Sequence, residues 1–351
     1  MQLKTLATQL VTLSFATLTF AATAGDLPPL EKKDTYKVGF AQMESNNPWR
    51  IAETQSFRDT AQQCNWDIVI TDAAGSAAKQ VADIDSMIAQ GVDVIFLPPR
   101  EEKPLLPAVM KALAAGIPTF LVDRSVDKNV ARAGEHYVAF LGSDFVDQGK
   151  RAAEWTVANF SGDKGVIIEL EGTTGSSPAN DRRKGFDDVI AKQDNMTIVA
   201  SQSGDFARNK GRQVMETLLQ SHPDVNIVYA HNDEMAIGAI QALELAGRKP
   251  GEDVMVVSID GTRDALQAII DGKMGVTVES SPFFGPLACE TMTRYANGEN
   301  IEPWVQVKDR IFTKQMPHSL LTQRTDLSTR KRIETARSRG GNAPHFKRRY
   351  M

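Results

Sequence analysis

Short apolar runs alternate along this chain with longer stretches whose apolar residues recur at helical spacing. Residues 36–41 (YKVGFA), 66–71 (WDIVIT), 92–97 (VDVIFL), 118–122 (PTFLV) and 138–142 (VAFLG) read as strands, largely apolar as a strand covered on both faces must be. Between them, residues 79–90 and 105–115 carry helical spacing, the second closed by Gly116 in the usual terminating position. Strands alternating with helices of this length predict a parallel, doubly wound α/β sheet, and five strands complete one layered domain. The alternation then repeats. A helix over 148–159 leads to strands at 165–170 (GVIIEL), 198–202, 227–230 (IVYA), 254–259 (VMVVSI) and 275–278. Helices follow at 264–271 and 284–296, and residues 305–312 close the pattern.

The polar residues that interrupt this pattern gather just after strands. His231-Asn232-Asp233-Glu234 follows the run at 227–230, Asp260-Gly261-Thr262 follows 254–259, and Asp123-Arg124-Ser125 follows 118–122. In open α/β sheets ligands bind outside the carboxyl ends of strands. Asn232 and Asp233 are also good helix N-caps, so each has a purely structural reading. After the first strand come Asn46-Asn47-Pro48-Trp49-Arg50: Pro48 suits a first helical turn and Asn46 or Asn47 its cap. Trp49 either staples that helix to its own domain or offers a ring face to the apolar side of a sugar. Arg50 carries fixed donors for hydroxyl oxygens. Glu53 stands one turn on, placed to hold Arg50 or to accept from hydroxyls itself.

Other chemistries find no support. The loop at 171–179 (EGTTGSSPA) is rich in glycine and serine but lacks the Lys-Ser/Thr ending of a phosphate loop. No G-x-S-x-G elbow, H-E-x-x-H pair or Cys/His cluster occurs, and the five histidines are scattered, so neither catalysis nor a bound metal or cofactor is expected. His231 reads as a capping or packing residue. A formal net charge of −4 argues against a nucleic-acid partner.

The stretches HNDEMAIGAIQAL, SIDG and FLVDRS resemble the periplasmic sugar-binding proteins of the ribose/galactose type, which serve ABC importers. The resemblance covers roughly residues 35–315. The order SQSGDF with a following KG, VYAHND, MAIGAIQA and SIDG looks most like the galactofuranose-binding subfamily. The resemblance implies a type I periplasmic binding protein fold, with two lobes joined by a multi-strand hinge. One lobe would hold residues 35–142 and 283–310, the other 143–282 and 311–324. It implies a monosaccharide in the cleft between them, held by Asn47, Trp49, Arg50, Glu53, Asp123, Arg124, Arg182, Phe206, Asn232 and Asp260. Arg182 stands three residues before Gly185-Phe186, where the family places a ligand arginine, and Trp49 and Phe206 would sandwich the sugar ring. Glu279 and Ser280 are alternatives for one more contact near the return crossing. The partners implied are a monosaccharide and importer permease subunits, with the chain itself a monomer. A rival reading is a sensor subunit that signals to a membrane receptor. The same fold extends to repressors of the lactose type, which begin with a helix-turn-helix where this chain has an export signal.

That signal is residues 1–24, with Lys4, a short apolar core and Ala22-Thr23-Ala24 before Gly25; it places the mature chain in the periplasm. Its removal leaves about 325 of 351 residues, too many for one core, hence two domains. Cys64 and Cys289 fall, in the implied fold, on two helices that both start at the cleft, one near its helix's far end and one near its start. At 1.5 Å rise per residue they would lie roughly 15 Å apart along the axis, so free thiols are expected. Residues 325–351 depart from the family pattern and read as a basic, loosely held tail.

Overall fold

The computed structural model describes residues 27–316; the expected export signal and the expected basic tail lie outside the described residues. The chain forms two six-stranded sheets whose successive strands are joined mostly by helices. The first half runs β1 (Tyr36–Gln42), α1 (Pro48–Gln63), β2 (Trp66–Asp72), α2 (Ala77–Ala89), β3 (Val94–Leu97), α3 (Leu106–Ala114), β4 (Thr119–Val122) and β5 (Phe140–Gly142). The second half runs α4 (Phe145–Asn159), β6 (Gly165–Glu171), α5 (Ser177–Ile190), β7 (Met196–Ser203), α6 (Arg208–Ser221), β8 (Ile227–Ala230), α7 (Asp233–Leu245), β9 (Met255–Asp260), α8 (Arg263–Ile270) and β10 (Val276–Glu279). After α9 (Gly285–Ala296), two short strands, β11 (Trp304–Gln306) and β12 (Ile311–Thr313), end the fold.

Strand order in one sheet is β11-β5-β4-β3-β1-β2, all parallel; in the other it is β12-β10-β9-β8-β6-β7, parallel except for the β10–β12 pair. Both faces of each sheet are covered, which is why the strands read as unbroken apolar runs. In β3, Val94 and Phe96 point into one core and Ile95 and Leu97 into another; in β8, Ile227 and Tyr229 part from Val228 and Ala230 in the same way. Residues 305–312, expected as one closing segment, divide: β11 joins the first sheet and β12 the second. The chain therefore crosses between the sheets after β5, after β10 and again between β11 and β12. Gln148 fastens these crossings, donating to the Glu279 carbonyl at 3.1 Å and to Asp309 at 2.8 Å.

The structure overturns the expectation of free thiols: Cys64 and Cys289 form a disulfide, with Cα atoms 6.4 Å apart. The two helices do not start level. The Gly285 amide donates to Ser56 Oγ at 3.0 Å, so α9 begins about two turns along α1. A Cβ on Gly285 would stand 2.3 Å from the Ser56 carbonyl oxygen, so only glycine permits this approach. Gly285 also lies against Thr60, and one turn further along both helices Cys289 meets Cys64 at the C-cap of α1. Replacing both cysteines with serine is expected to lower the unfolding free energy by about 2–4 kcal/mol, as measured by urea titration; an unchanged midpoint would show that the bridge adds nothing to the packed helices.

Candidate functional site

Loops at the carboxyl ends of the two sheets meet around a small cavity. The first half contributes Glu44, Asn47, Trp49, Arg50, Asp123 and Arg124. The second contributes Pro178, Arg182, Phe206, Asn232 and Asp260. They stand where strands hand over to helices. Asn47 caps α1, its Oδ1 accepting from the Arg50 amide at 2.9 Å, with Pro48 as the first helical residue. Asn232 caps α7 by accepting from the Met235 amide at 3.0 Å, while its Nδ2 donates to the Phe206 carbonyl at 3.1 Å. Both asparagines are thus caps and cavity residues at once.

Three of these residues adopt a backbone conformation that L-residues avoid: φ is +60° at Asp123, +56° at Phe206 and +133° at Asp260. Such strain costs on the order of 1–3 kcal/mol each and persists only where the surroundings enforce it. Here it sits at the ends of β4 and β9 and in the loop after β7, on side chains that line the cavity. The Phe206 ring also lies against Gly172, where a Cβ would come within 2.0 Å of the ring.

The charges in the wall are paired unequally. Arg50 donates to Asp123 at 2.6 Å and to Glu53 at 2.7 Å, and its guanidinium lies 4.5 Å from the Trp49 ring centroid. Burial works to lower the Arg50 pKa, but the carboxylates of Asp123, Glu53 and Glu44 outweigh it and the group is held above its ordinary value. Burial pushes the Glu53 carboxyl up to about 7 against the pull of Arg50. Arg124, 1% exposed, donates from Nη1 to the Arg100 carbonyl at 2.8 Å, yet its Nε has no hydrogen-bond partner and Asp123 stays 3.8 Å away. Burial and then the like charge of Arg50 lower its pKa to about 9. Arg182 is anchored by the His231 carbonyl at 2.6 Å and Gln148 at 3.0 Å, and it reaches Asp260 only at 3.5 Å. Burial holds the Asp260 carboxyl well above the usual range, with Arg182 opposing. An orphaned buried donor or acceptor costs about 1–3 kcal/mol. The wall thus offers underused donors on Arg124 and Arg182, an underused acceptor on Asp260, and two aromatic rings. That set matches a neutral molecule bearing several hydroxyls.

Of the residues singled out from the sequence, the cavity gathers Asn47, Trp49, Arg50, Asp123, Arg124, Arg182, Phe206, Asn232 and Asp260. It does not gather three others. Glu53 is fully buried behind Arg50, taking bonds from Arg50 and Gln42. Glu279 lies at the second crossing, where Arg310 donates to both its oxygens. Ser280 follows it, and its carbonyl accepts from Trp49 Nε1 at 2.7 Å. Those two serve the hinge because β10 ends there and the chain turns back to the first lobe. Trp49 joins the first lobe's core and also lines the cavity. His231 is a packing residue, its Nε2 on Glu169 at 2.9 Å and its Nδ1 accepting from the Gly172 amide. Asp233 accepts from Ser258, Thr277 and the Thr262 amide, tying α7 to the neighbouring strands. Sequence reasoning passed over Glu44, although it stands just past β1 as Asp123 stands just past β4; that place at a strand's carboxyl end was the available signal.

Known proteins share the fold. The model of the periplasmic binding protein domain matches residues 38–300, and the chain belongs to that family. The galactofuranose-binding protein YtfQ of Escherichia coli (strain K12) is 38% identical over 261 residues, covering 74% of this chain and 81% of that protein. A crystal structure of a galactofuranose-binding protein superposes with a TM-score of 0.79 at 35% identity, over 82% of this chain and 98% of that one. The periplasmic component of an arabinose ABC transporter from Shewanella sp. ANA-3, solved with α- and β-L-arabinofuranose, gives 0.78 at 33% identity, over 88% and 100%.

Burial lifts the Asp233 carboxyl to about 6, against bonds from Ser258 and Thr262 that pull it down. An acid whose pKa is higher folded than unfolded stabilises the fold below its unfolded pKa and loses that contribution as pH rises through its folded one. The stability of the native chain relative to Asp233→Asn is therefore expected to be greatest near pH 4 and to shrink as pH rises through about 6. Denaturant midpoints of both proteins across that range check it, since other titrating groups are common to the two; a difference that grows with pH would contradict the assignment.

Proposed function

We propose that this chain is the periplasmic substrate-binding component of an ABC sugar importer, binding one monosaccharide of the galactofuranose or related furanose class. The observation that carries the reading is the cavity wall: strand-end aspartates, an asparagine and incompletely paired arginines converge with Trp49 and Phe206 around one cavity. The kinship to galactofuranose- and arabinofuranose-binding proteins supports the ring form. The chain binds and does not catalyse. Residues 35–142 with 283–310 act as one lobe and 143–282 with 311–324 as the other, after an export signal at 1–24 is cleaved. The protein works as a monomer that delivers its sugar to the permease subunits.

In this mechanism Asp123, Asn232 and Asp260 meet sugar hydroxyls as acceptors, or as a donor in the case of Asn232. Arg50, Arg124 and Arg182 donate, and the aromatic rings cover the apolar faces. Closure removes water, so each polar group without a partner is costly, and a sugar lacking one matching hydroxyl is rejected by about 1–3 kcal/mol. The permease distinguishes the closed form from the open one by its surface.

A thermal-shift screen of the mature, ligand-free protein against monosaccharides and polyols tests the function. A specific sugar at about 100 times its dissociation constant adds roughly 2.7 kcal/mol of apparent stability. Asp123→Ala and Arg182→Ala are each expected to abolish the calorimetric binding of that sugar while leaving the circular dichroism spectrum native. Retained affinity in either variant would argue against this site.

A further inference from the structure

Arg100 follows β3 in the first lobe and is outside the cavity lining, yet it touches both walls. Its Nη1 donates to Glu44 at 3.0 Å, and its carbonyl accepts from Arg124 Nη1 at 2.8 Å. Glu44 and Arg124 are both cavity residues of the first lobe. Its Nη2 crosses to the second lobe and donates to both carboxylate oxygens of Asp205, at 3.3 and 3.4 Å. Asp205 immediately precedes Phe206, and both residues share the left-handed backbone conformation, with φ of +55° and +56°. One guanidinium therefore spans from the acidic floor of the first lobe to the loop that carries the second lobe's aromatic cover.

Other bonds cross the mouth beside it. The Glu102 amide donates to the Gly175 carbonyl at 2.9 Å, Asn180 donates to Glu102 at 2.9 Å, and the Ser125 amide donates to Ser177 Oγ at 2.8 Å. None of these pairs two opposite charges. The Arg100–Asp205 pair does, and one of its ends is well buried: the Arg100 side chain is 11% exposed against 33% for Asp205. An ion pair that exists only when two bodies are together adds to the closed state alone, and so acts on opening rather than on encounter.

We propose that Arg100 is a positioning residue, and that with Asp205 it forms a charge latch holding the two lobes closed while Glu44 and Arg124 are kept in place beneath it. The latch rests on the sugar-binding reading for its kinetic effect, but closure itself is a property of the protein without sugar. The two are therefore tested separately.

The test compares the native protein with Asp205→Asn, Arg100→Met and the double variant. Asparagine keeps the shape of Asp205 and tolerates its backbone conformation. In sugar-free protein, a fluorophore pair with one dye on each lobe is expected to report a smaller closed fraction in Asp205→Asn than in the native chain. With a sugar identified in the screen, the dissociation rate of Asp205→Asn is expected to rise about threefold to tenfold while the association rate stays within about twofold. That rise should fade between low and high salt, because it is electrostatic. Adding Asp205→Asn to Arg100→Met should change little further, since the partner is already gone. An unchanged closed fraction with an unchanged dissociation rate in Asp205→Asn would overturn the latch, as would additive effects in the double variant. If no sugar binds at all, the fluorescence measurement alone decides the latch, and the sugar-binding reading fails independently of it.

Discussion

Six charged side chains line one cavity: the carboxylates of Glu44, Asp123 and Asp260 and the guanidiniums of Arg50, Arg124 and Arg182. Taking any one of them out of water alone would cost several kcal/mol, so they lean on neighbours: Arg50 on Asp123, Glu44 on Arg100, and Asp260 on Arg182. This pairing constrains much else: the charges come from both sheets. It requires strand-end loops rigid enough to keep positive and negative groups at fixed separations. It also explains why the compensation is left incomplete at Arg124, Arg182 and Asp260: groups fully paired within the protein would have nothing left to offer a ligand.

Much of this architecture was legible in the sequence because its signals are local. Buried parallel strands are apolar along their length, helices carry their own spacing, and cavity-lining side chains fall at or just past the strand ends. Asp123, Asn232 and Asp260 are therefore found by looking at the polar residues directly after each apolar run. The missing parts depend on relations between distant elements. The level at which α9 begins beside α1 is set by the Gly285 approach to Ser56, and no spacing along the chain shows it, so the Cys64–Cys289 bridge was not foreseen. Glu279 and Ser280 sit at the end of a strand like the true cavity residues, but the hinge turns them away. Arg100 is hidden for the opposite reason: it lies behind the wall, and its importance comes from the residues it connects.

The two lobes also repeat one plan. Strand orders β2-β1-β3-β4-β5 and β7-β6-β8-β9-β10 are equivalent, which sets Asp123 after β4 against Asp260 at the end of β9, each on an unfavourable backbone conformation. Arg50 on α1 and Arg182 on α5 occupy the helices that come after the corresponding first strands. Each half supplies an acid, an arginine and an aromatic ring. Neither half alone surrounds the cavity, which both halves enclose together.

The disulfide gives the covalent structure a shape that the fold alone does not. Cys64 and Cys289 are separated by 225 positions, and nearly the entire second lobe is strung between them. In graph terms that lobe is an arc of a closed ring whose clasp lies on the first lobe. A single peptide-bond cut anywhere inside the ring, even in a crossing strand, converts the ring to a linear branched chain without releasing either fragment. Both cysteines pack on the first lobe's core, so the clasp closes the ring within that lobe.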